Sequence, residues 1–241
     1  MAEYKKTGSC KVLVVTGCMA QRYKNEIIEE VPEVDAVLGT TSYGDILKAI
    51  REAMEGKHFQ EFKDIDYLPE KLGKRVLTTG GHFGYLKIAE GCDKHCTYCI
   101  IPKLRGKFRS VPMERLVTQA KEMAEEGVKE LILVAQETTV YGTDIYGKKS
   151  LHILLKELCK IKGIRWIRVL YCYPEEIYDE LIQTMKEEKK ICHYLDLPIQ
   201  HASDRILKRM GRRTTQAELV EIVNKLRREI PDIVLLSLIH I

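Results

Sequence analysis

Residues 85–106 read YLKIAEGCDKHCTYCIIPKLRG, an apolar run that leads directly into a loop with three cysteines. The run at 85–89 predicts a short strand. Cys92, Cys96 and Cys99 follow it with the spacing C-x3-C-x2-C. The first of these cysteines falls three residues beyond the strand. The surroundings of the cysteine loop depend on the strands and helices that follow it in the sequence.

Strand and helix patterns alternate after residue 80. Further apolar runs of strand length occur at 130–135, 166–171 and 193–198. Helical patterns lie between and after them, at 112–126, 150–161, 175–189, 203–210 and 215–230. The last pattern opens with a capping box formed by Thr215 and Glu218. This alternation predicts right-handed β-α-β units, a parallel sheet and an α/β fold, which we interpret as a whole or partial (β/α) barrel.

Polar side chains follow the strands at their carboxyl ends. Gln136 and Glu137 follow the second strand, Cys172 follows the third, and His201 comes after the fourth. In a (β/α) barrel the chemistry takes place at this end of the strands. We therefore expect the cysteine loop and these groups to converge. Gln136 and Glu137 are predicted to line the cavity, whereas His201 either lines it or caps the next helix.

The first part of the chain has its own α/β pattern. Short apolar strands are predicted at 11–17 and 36–39, with a helix that ends near residue 30 and another at 45–55. Residues 57–80 lack a clear period and are interpreted as a linker. The predicted organisation is an N-terminal remnant at 1–56, the linker at 57–80, and a partial barrel at 81–241.

The composition is that of an ordinary globular protein. Of the 241 residues, 45% are hydrophobic and 31% are charged, and the formal net charge is only +4. The sequence contains neither a signal peptide nor an apolar run of about 18 residues. A cytoplasmic protein without a membrane partner is therefore expected. The eight cysteines are interpreted as thiols or metal ligands before disulfides, with Cys159 and Cys192 as structural thiols.

The three-cysteine loop leaves a metal site one ligand short. Thiolates favour zinc or iron–sulfur clusters, and zinc needs a fourth ligand, which His95 would supply only with distortion. Three thiolates on a 4Fe–4S cluster leave one iron open to a small molecule with an amine and a carboxylate, such as S-adenosylmethionine. The alternatives are a zinc site and three cysteines without a metal.

The C-x3-C-x2-C motif with Tyr98 before the last cysteine resembles the radical S-adenosylmethionine superfamily. Membership implies that a reduced cluster cleaves S-adenosylmethionine to a 5′-deoxyadenosyl radical. Neighbouring segments resemble the methylthiotransferases of that superfamily, which implies a partial radical S-adenosylmethionine barrel preceded by part of a small α/β domain. These segments are VTGCMAQR at 15–22, LKIAEGC at 86–92, IPKLRG at 101–106 and RS at 109–110.

Within that family the resemblance is greatest to enzymes that methylthiolate the β-carbon of an aspartate in a small-subunit ribosomal protein. The segments that indicate this are AQETTVYG at 135–142, LYCYPE at 170–175 and LDLPIQHASD at 195–204. A tRNA methylthiotransferase with the same chemistry is the first alternative. A non-catalytic zinc protein or iron–sulfur electron carrier is the second.

The resemblance also implies the roles of individual residues. Cys92, Cys96 and Cys99 would hold the radical cluster, with S-adenosylmethionine on the fourth iron. Tyr98, Gln136, Glu137 and His201 would contact the cofactor, and no further catalytic side chain is predicted. The implied partners are the ribosomal protein, S-adenosylmethionine and an electron donor such as flavodoxin or ferredoxin, with tRNA only under the first alternative.

Both ends of the sequence depart from the family pattern. Cys18 matches the third ligand of a second 4Fe–4S cluster, whose first two cysteines would precede Met1. After Asp232 the family continues with a strand and a glycine-rich turn, whereas residues 234–241 read VLLSLIHI. We therefore expect a fragment that is truncated at both ends.

Overall fold

A computed structural model describes residues 1–68, 76–78 and 80–237. The chain divides into two compact units. One comprises Met1–Lys71 and Ile100–Lys107, and the other comprises Leu72–Cys99 and Phe108–Ile241. Over the described ranges, no helix combines the length and the apolar composition that crossing a bilayer requires.

The first unit is built on a small parallel sheet. Its order is β1-β2-β3, so that Val15 pairs with Val37, and Val37 pairs with Gln60. The strands are β1 (Val14–Thr16), β2 (Ala36–Leu38) and β3 (Phe59–Glu61). The helices are α1 (Glu3–Thr7), α2 (Cys18–Tyr23), α3 (Glu26–Glu30), α4 (Ile46–Met54) and α5 (Ile101–Arg105).

Strand β3 lies inside the segment that the sequence predicts to be a linker. Phe59 packs against the buried Ala36, Leu38 and Ala49, while Phe62 packs in a second cluster around Val37. A three-residue strand is too short to show a period, which is why the pattern at 57–80 reads as irregular. The start of the predicted linker is therefore part of the first sheet. Residues 69–75 and 79 of that segment lie outside the described residues.

The second unit contains a five-stranded parallel sheet with the order β10-β9-β8-β7-β4. Its strands are β4 (Phe83–Lys87), β7 (Glu130–Val134), β8 (Trp166–Val169), β9 (Ile191–Asp196) and β10 (Val234–Leu236). Its helices are α6 (Met113–Glu125), α7 (Leu151–Cys159), α8 (Asp179–Glu187), α9 (Asp204–Arg209) and α10 (Gln216–Glu229). The predicted alternation of parallel strands and helices is confirmed.

The core of this unit lies between the sheet and the connecting helices. Leu86, Leu131, Leu133 and Ile167 on the strands are fully buried. The covering helix faces are equally buried, at Leu116, Ala120, Leu151, Leu154, Leu155, Leu158, Leu181 and Met185. Capping at the start of α10 is as predicted, because the Thr215 side chain accepts a hydrogen bond from the Glu218 backbone and Glu218 reciprocates.

The structure adds two features to the predicted barrel. An antiparallel pair of two-residue strands, β5 (Ala89–Glu90) and β6 (Arg109–Ser110), brackets the cysteine segment. The start of the chain's last segment is a strand, since β10 pairs in parallel with β9. The strand that the family pattern implies after Asp232 is therefore present at Val234–Leu236. Residues 238–241 lie outside the described part.

Candidate functional site

The cysteine loop of the second unit starts where β5 ends. Gly91 has a φ of +79°, a left-handed conformation that turns the chain away from the strand. Within the loop, the Lys94 N–H donates to Cys92 Sγ at 3.4 Å and the Cys99 N–H donates to the Cys96 carbonyl at 3.0 Å. The loop is thus folded on itself at the carboxyl end of the sheet.

A turn far along the chain holds the loop in place. The Thr97 N–H donates to the Met210 carbonyl at 3.0 Å, and the Thr97 hydroxyl donates to the Arg209 carbonyl at 3.1 Å. Gly211 in the same turn has a φ of +72°, and a Cβ added there would lie 2.9 Å from the His95 carbonyl oxygen. Only glycine therefore permits this close approach.

The three thiols form one electrostatic group. Cys92 and Cys96 are 5% and 7% exposed, and Cys99 is half-buried. Burial, with smaller contributions from the nearby Glu137, Cys96 and Cys99, raises the pKa of the Cys92 thiol to about 11. Soft donors must lose their protons to bind metal, so a cation at this position would offset a large desolvation penalty.

The donor set fits a polynuclear cluster. Across the described ranges, no group of three or more His, Cys, Asp or Glu side chains could hold a single metal ion. Thiolates on an iron–sulfur cube bind different irons and need not converge on one point. Three cysteines within eight residues, two of them buried and one half-buried, match that requirement.

The segment after β8 lies against the loop. The Tyr173 hydroxyl is 3.8 Å from Cys96 Sγ, and the Lys94 ammonium lies 5.4 Å from the centroid of the Tyr173 ring. Lys94 also forms an ion pair with Glu176, and Glu176 forms a second ion pair with Lys149 at 2.8 Å. The predicted convergence of the cysteine loop and the third strand end is therefore present in the structure.

Glu137 is the most buried of the predicted cofactor contacts. It is 1% exposed, and its Oε1 accepts hydrogen bonds from the Thr139 N–H at 2.9 Å, from the Thr139 hydroxyl and from the Tyr173 N–H at 3.5 Å. Burial outweighs these bonds and raises the pKa of the carboxyl to about 7. The carboxyl is close enough to Cys92 to influence the pKa of its thiol.

Three buried acceptor atoms near the strand ends lack a partner in the described part of the chain. They are Gln136 Oε1, Glu137 Oε2 and Asp196 Oδ1. Glu137 and Asp196 both raise the pKa of the fully buried Cys172, after the larger effect of burial, so that the two carboxylates lie near one thiol. Unpaired buried acceptors favour a ligand that brings N–H or O–H donors. Asp196 was not among the predicted site residues.

Tyr98 and His201 differ in their relation to the cysteines. Tyr98 is 54% exposed and lies close to Cys96 and Cys99. Partial burial and the charges of these two cysteines raise the pKa of its phenol. The His201 Nδ1 accepts a hydrogen bond from the Ser203 N–H at 2.8 Å, directly before α9 begins. One nitrogen of His201 is thus engaged by the residue that precedes α9, and that helix start has no side-chain cap among the described residues.

Arg212 is a buried charge that the sequence does not reveal as part of the site. It is 6% exposed, and its guanidinium carbon lies 4.2 Å from the centroid of the Tyr173 ring. Nη2 donates to Glu175 at 3.1 Å and to the Pro198 carbonyl at 3.4 Å. The basic run KRMGRR at 208–213 signals charge, but no pattern distinguishes its buried arginine from its exposed neighbours.

Cys18 belongs to the first unit. It begins α2, is half-buried and accepts a hydrogen bond from Arg105 Nε at 3.1 Å. Gly17 before it has a φ of +93°. The bond from Arg105 thus holds the Cys18 sulfur in place at the start of α2.

Comparison with known families and proteins gives a consistent result. The model of the "Radical SAM superfamily" matches residues 86–241. The chain is 68% identical over 235 residues to "Ribosomal protein uS12 methylthiotransferase RimO" of Lachnoclostridium phytofermentans, covering 98% of this chain and 53% of that protein. It is 54% identical over 237 residues to the protein of the same name from Clostridium perfringens, with the same coverage. The chain spans about half the length of the curated relatives it matches.

Solved structures agree in fold. The cobalamin-dependent S-adenosylmethionine radical enzyme OxsB matches with a TM-score of 0.68 at 15% identity, covering 98% of this chain and 37% of OxsB. The radical S-adenosylmethionine methyltransferase TsrM from Kitasatospora setae matches with a TM-score of 0.52 at 17% identity, covering 65% of this chain and 30% of TsrM. At such identities the likeness is one of fold alone.

Proposed function

The chain belongs to the radical S-adenosylmethionine superfamily, and from that premise we propose that it is part of a methylthiotransferase acting on an aspartate of ribosomal protein uS12. Members of this superfamily use a 4Fe–4S cluster and S-adenosylmethionine. The observation that carries the proposal is the three-cysteine loop, with Cys92 and Cys96 buried, at the carboxyl end of the parallel sheet. The substrate follows from the 68% identity to a protein that carries the name uS12 methylthiotransferase.

Cys92, Cys96 and Cys99 hold the cluster in this proposal. Three protein ligands leave one of four irons for the amine and carboxylate of S-adenosylmethionine. When bound, the cluster and S-adenosylmethionine supply a carbon radical that removes hydrogen from the substrate. Burial of Cys92 and Cys96 keeps water from their sulfurs, and the Thr97 anchor fixes the loop that carries them.

The unpaired acceptors at the strand ends bind the cofactor's donors. Gln136 Oε1, Glu137 Oε2 and Asp196 Oδ1 are buried without partners in the described residues, and the amine and ribose of S-adenosylmethionine bring N–H and O–H groups. Tyr98 lies close to Cys96 and Cys99. His201 remains a predicted cofactor contact through its other ring nitrogen, since Nδ1 is engaged by Ser203.

Cys18 serves the second cluster of the longer protein. Arg105 orients its sulfur through the 3.1 Å hydrogen bond. In the overall reaction a C–H bond of the aspartate is replaced by a C–S bond. When bound, one S-adenosylmethionine would take up the hydrogen as 5′-deoxyadenosine, a further one would supply the methyl group, and the second cluster would supply the sulfur. An electron donor such as flavodoxin or ferredoxin provides the reducing electron.

Electron paramagnetic resonance tests the cofactor assignment directly. We expect the anaerobically reconstituted, reduced chain to give a cluster signal that shifts when S-adenosylmethionine is added. Cys96→Ala removes the signal, whereas Cys192→Ala, which changes a half-buried thiol on β9, keeps it. A signal that ignores S-adenosylmethionine, or one that survives in Cys96→Ala, contradicts the proposal.

The substrate is tested with a protein of the relatives' full length. Mass spectrometry should detect a methylthio group on a uS12 peptide that contains the aspartate, and none on the same peptide with asparagine in its place. Modification of a tRNA and not of the peptide would replace the ribosomal substrate by the nucleic-acid one.

A further inference from the structure

Tyr173 places its hydroxyl beside a sulfur of the three-cysteine loop. Its hydroxyl oxygen lies 3.8 Å from Cys96 Sγ, within the range of hydrogen bonds to sulfur. A thiolate has no proton to donate, so with metal-bound Cys96 the phenol is the donor. Cys92 also accepts a hydrogen bond, but from a backbone N–H, that of Lys94 at 3.4 Å. The bond to Cys96 is therefore one that a side-chain substitution removes.

The Tyr173 ring is held in position by cations. The Arg212 guanidinium lies 4.2 Å from its centroid and the Lys94 ammonium lies 5.4 Å from it. Arg212 is itself fixed, because Nη2 binds Glu175 at 3.1 Å and the Pro198 carbonyl at 3.4 Å. Its side chain is 1% exposed. A planar guanidinium stacked on a ring restrains the ring more strongly than an ammonium does.

We propose that Tyr173 tunes the radical cluster by donating a hydrogen bond to Cys96 and that Arg212 is a positioning residue acting through Tyr173; this inference rests on the proposed function. A hydrogen bond to a cluster thiolate draws electron density from the sulfur. The reduced cluster carries more negative charge and gains more from the bond than the oxidised cluster does. Tyr173 therefore makes the cluster easier to reduce.

The division of roles follows from charge. Arg212 is paired with Glu175, so the pair has no net charge and exerts a weaker field on the cluster than a free cation would. Arg212 contacts the Tyr173 ring, and the Tyr173 hydroxyl contacts Cys96, so that Arg212 reaches Cys96 through Tyr173. A lysine at this position keeps the charge and loses the planar stack, which separates the two effects.

Redox titration of the reconstituted chain tests the proposal. Tyr173→Phe is expected to make the midpoint potential more negative, with a change in the reduction equilibrium of up to about tenfold, or about 59 mV for one electron. Arg212→Lys is expected to shift it in the same direction. The double variant should match Tyr173→Phe alone, because Arg212 acts only through the ring.

Matched controls exist in the same unit. Tyr178→Phe removes a hydroxyl that contacts the His152 N–H at 3.2 Å, and Arg168→Lys disrupts an arginine 5.0 Å from the centroid of Tyr194. Both should leave the potential unchanged. Pulsed electron–nuclear double resonance gives a second readout: an exchangeable proton coupled to the reduced cluster should be lost in Tyr173→Phe.

The outcomes separate the inference from the proposed function. A Tyr173→Phe variant with full cluster content, an unchanged potential and the same coupled proton overturns the role of Tyr173 and leaves the cluster assignment intact. An additional shift in the double variant overturns the positioning role of Arg212. An unmodified chain that binds no cluster overturns both.

Discussion

The buried carboxyl of Glu137 makes the stability of the ligand-free chain depend on pH. Its pKa in the folded chain is about 7, above the ordinary value of 4.5, because burial disfavours the charged form. The folded state therefore binds this proton more tightly than the unfolded state does. Stability from this group is fully present below about pH 4.5 and is lost as the pH rises through 7.

The size of the effect follows from the two pKa values. A folded pKa of about 7 in place of 4.5 corresponds to about 3 kcal/mol in the free energy of unfolding. Glu137→Gln has no proton to lose, and its amide oxygen retains the acceptor role towards Thr139. The variant should therefore lose less stability than the unmodified chain between about pH 5 and about pH 8, by about 2 to 3 kcal/mol.

Urea unfolding followed by circular dichroism measures this difference. The same titration on Glu122→Gln, which changes an exposed carboxyl on α6, serves as the control and should parallel the unmodified chain. Subtracting the curves removes the contribution of the seven histidines, which are common to all three proteins. Parallel curves for Glu137→Gln and the unmodified chain would refute the assignment of a raised pKa.

Three further predictions concern packing and the loop. Leu155→Ala removes a fully buried side chain on α7 and should lower the free energy of unfolding by about 2 to 5 kcal/mol; a loss below about 1 kcal/mol would contradict the packing. Thr215→Ala breaks the capping box and should lower the free energy of unfolding by about 1 kcal/mol. An unchanged free energy of unfolding would contradict this prediction. Gly211→Ala and Gly147→Ala both place alanine at a φ near +70°, and each should lower stability by about 1 kcal/mol or more. Only Gly211→Ala meets the His95 carbonyl and should reduce cluster content in an iron assay; equal cluster content in both variants would refute the loop contact.

The sequence predicts much of the parallel sheet because strands buried on both faces leave continuous apolar runs. The run at 130–135 corresponds to β7, and that at 166–171 to β8. Elements of two or three residues leave no such pattern. For that reason the sequence pattern assigns β3 to a linker and does not predict the β5–β6 pair.

The site divides in the same way. The cysteine loop follows from residue type and spacing, which a sequence displays directly. Tyr173, Arg212 and Asp196 act through burial and through neighbours distant in sequence, and neither property is local. His201 shows the limit well, because one of its nitrogens accepts a hydrogen bond from the Ser203 N–H, two positions away. Only the structure distinguishes this use from cavity lining.

The anchor on Thr97 orders the maturation of the protein in time. Its hydroxyl binds a carbonyl 112 residues further along the chain, at the end of α9. During synthesis the cysteines leave the ribosome long before that turn exists, and closing so long a loop requires the intervening strands to be in place. The nascent chain thus carries three thiols without this anchor while those 112 residues are made. Under the proposed function, iron and sulfide delivered after β9 and α9 have folded would meet an anchored cysteine loop, whereas earlier delivery would meet one that lacks the Thr97 contact.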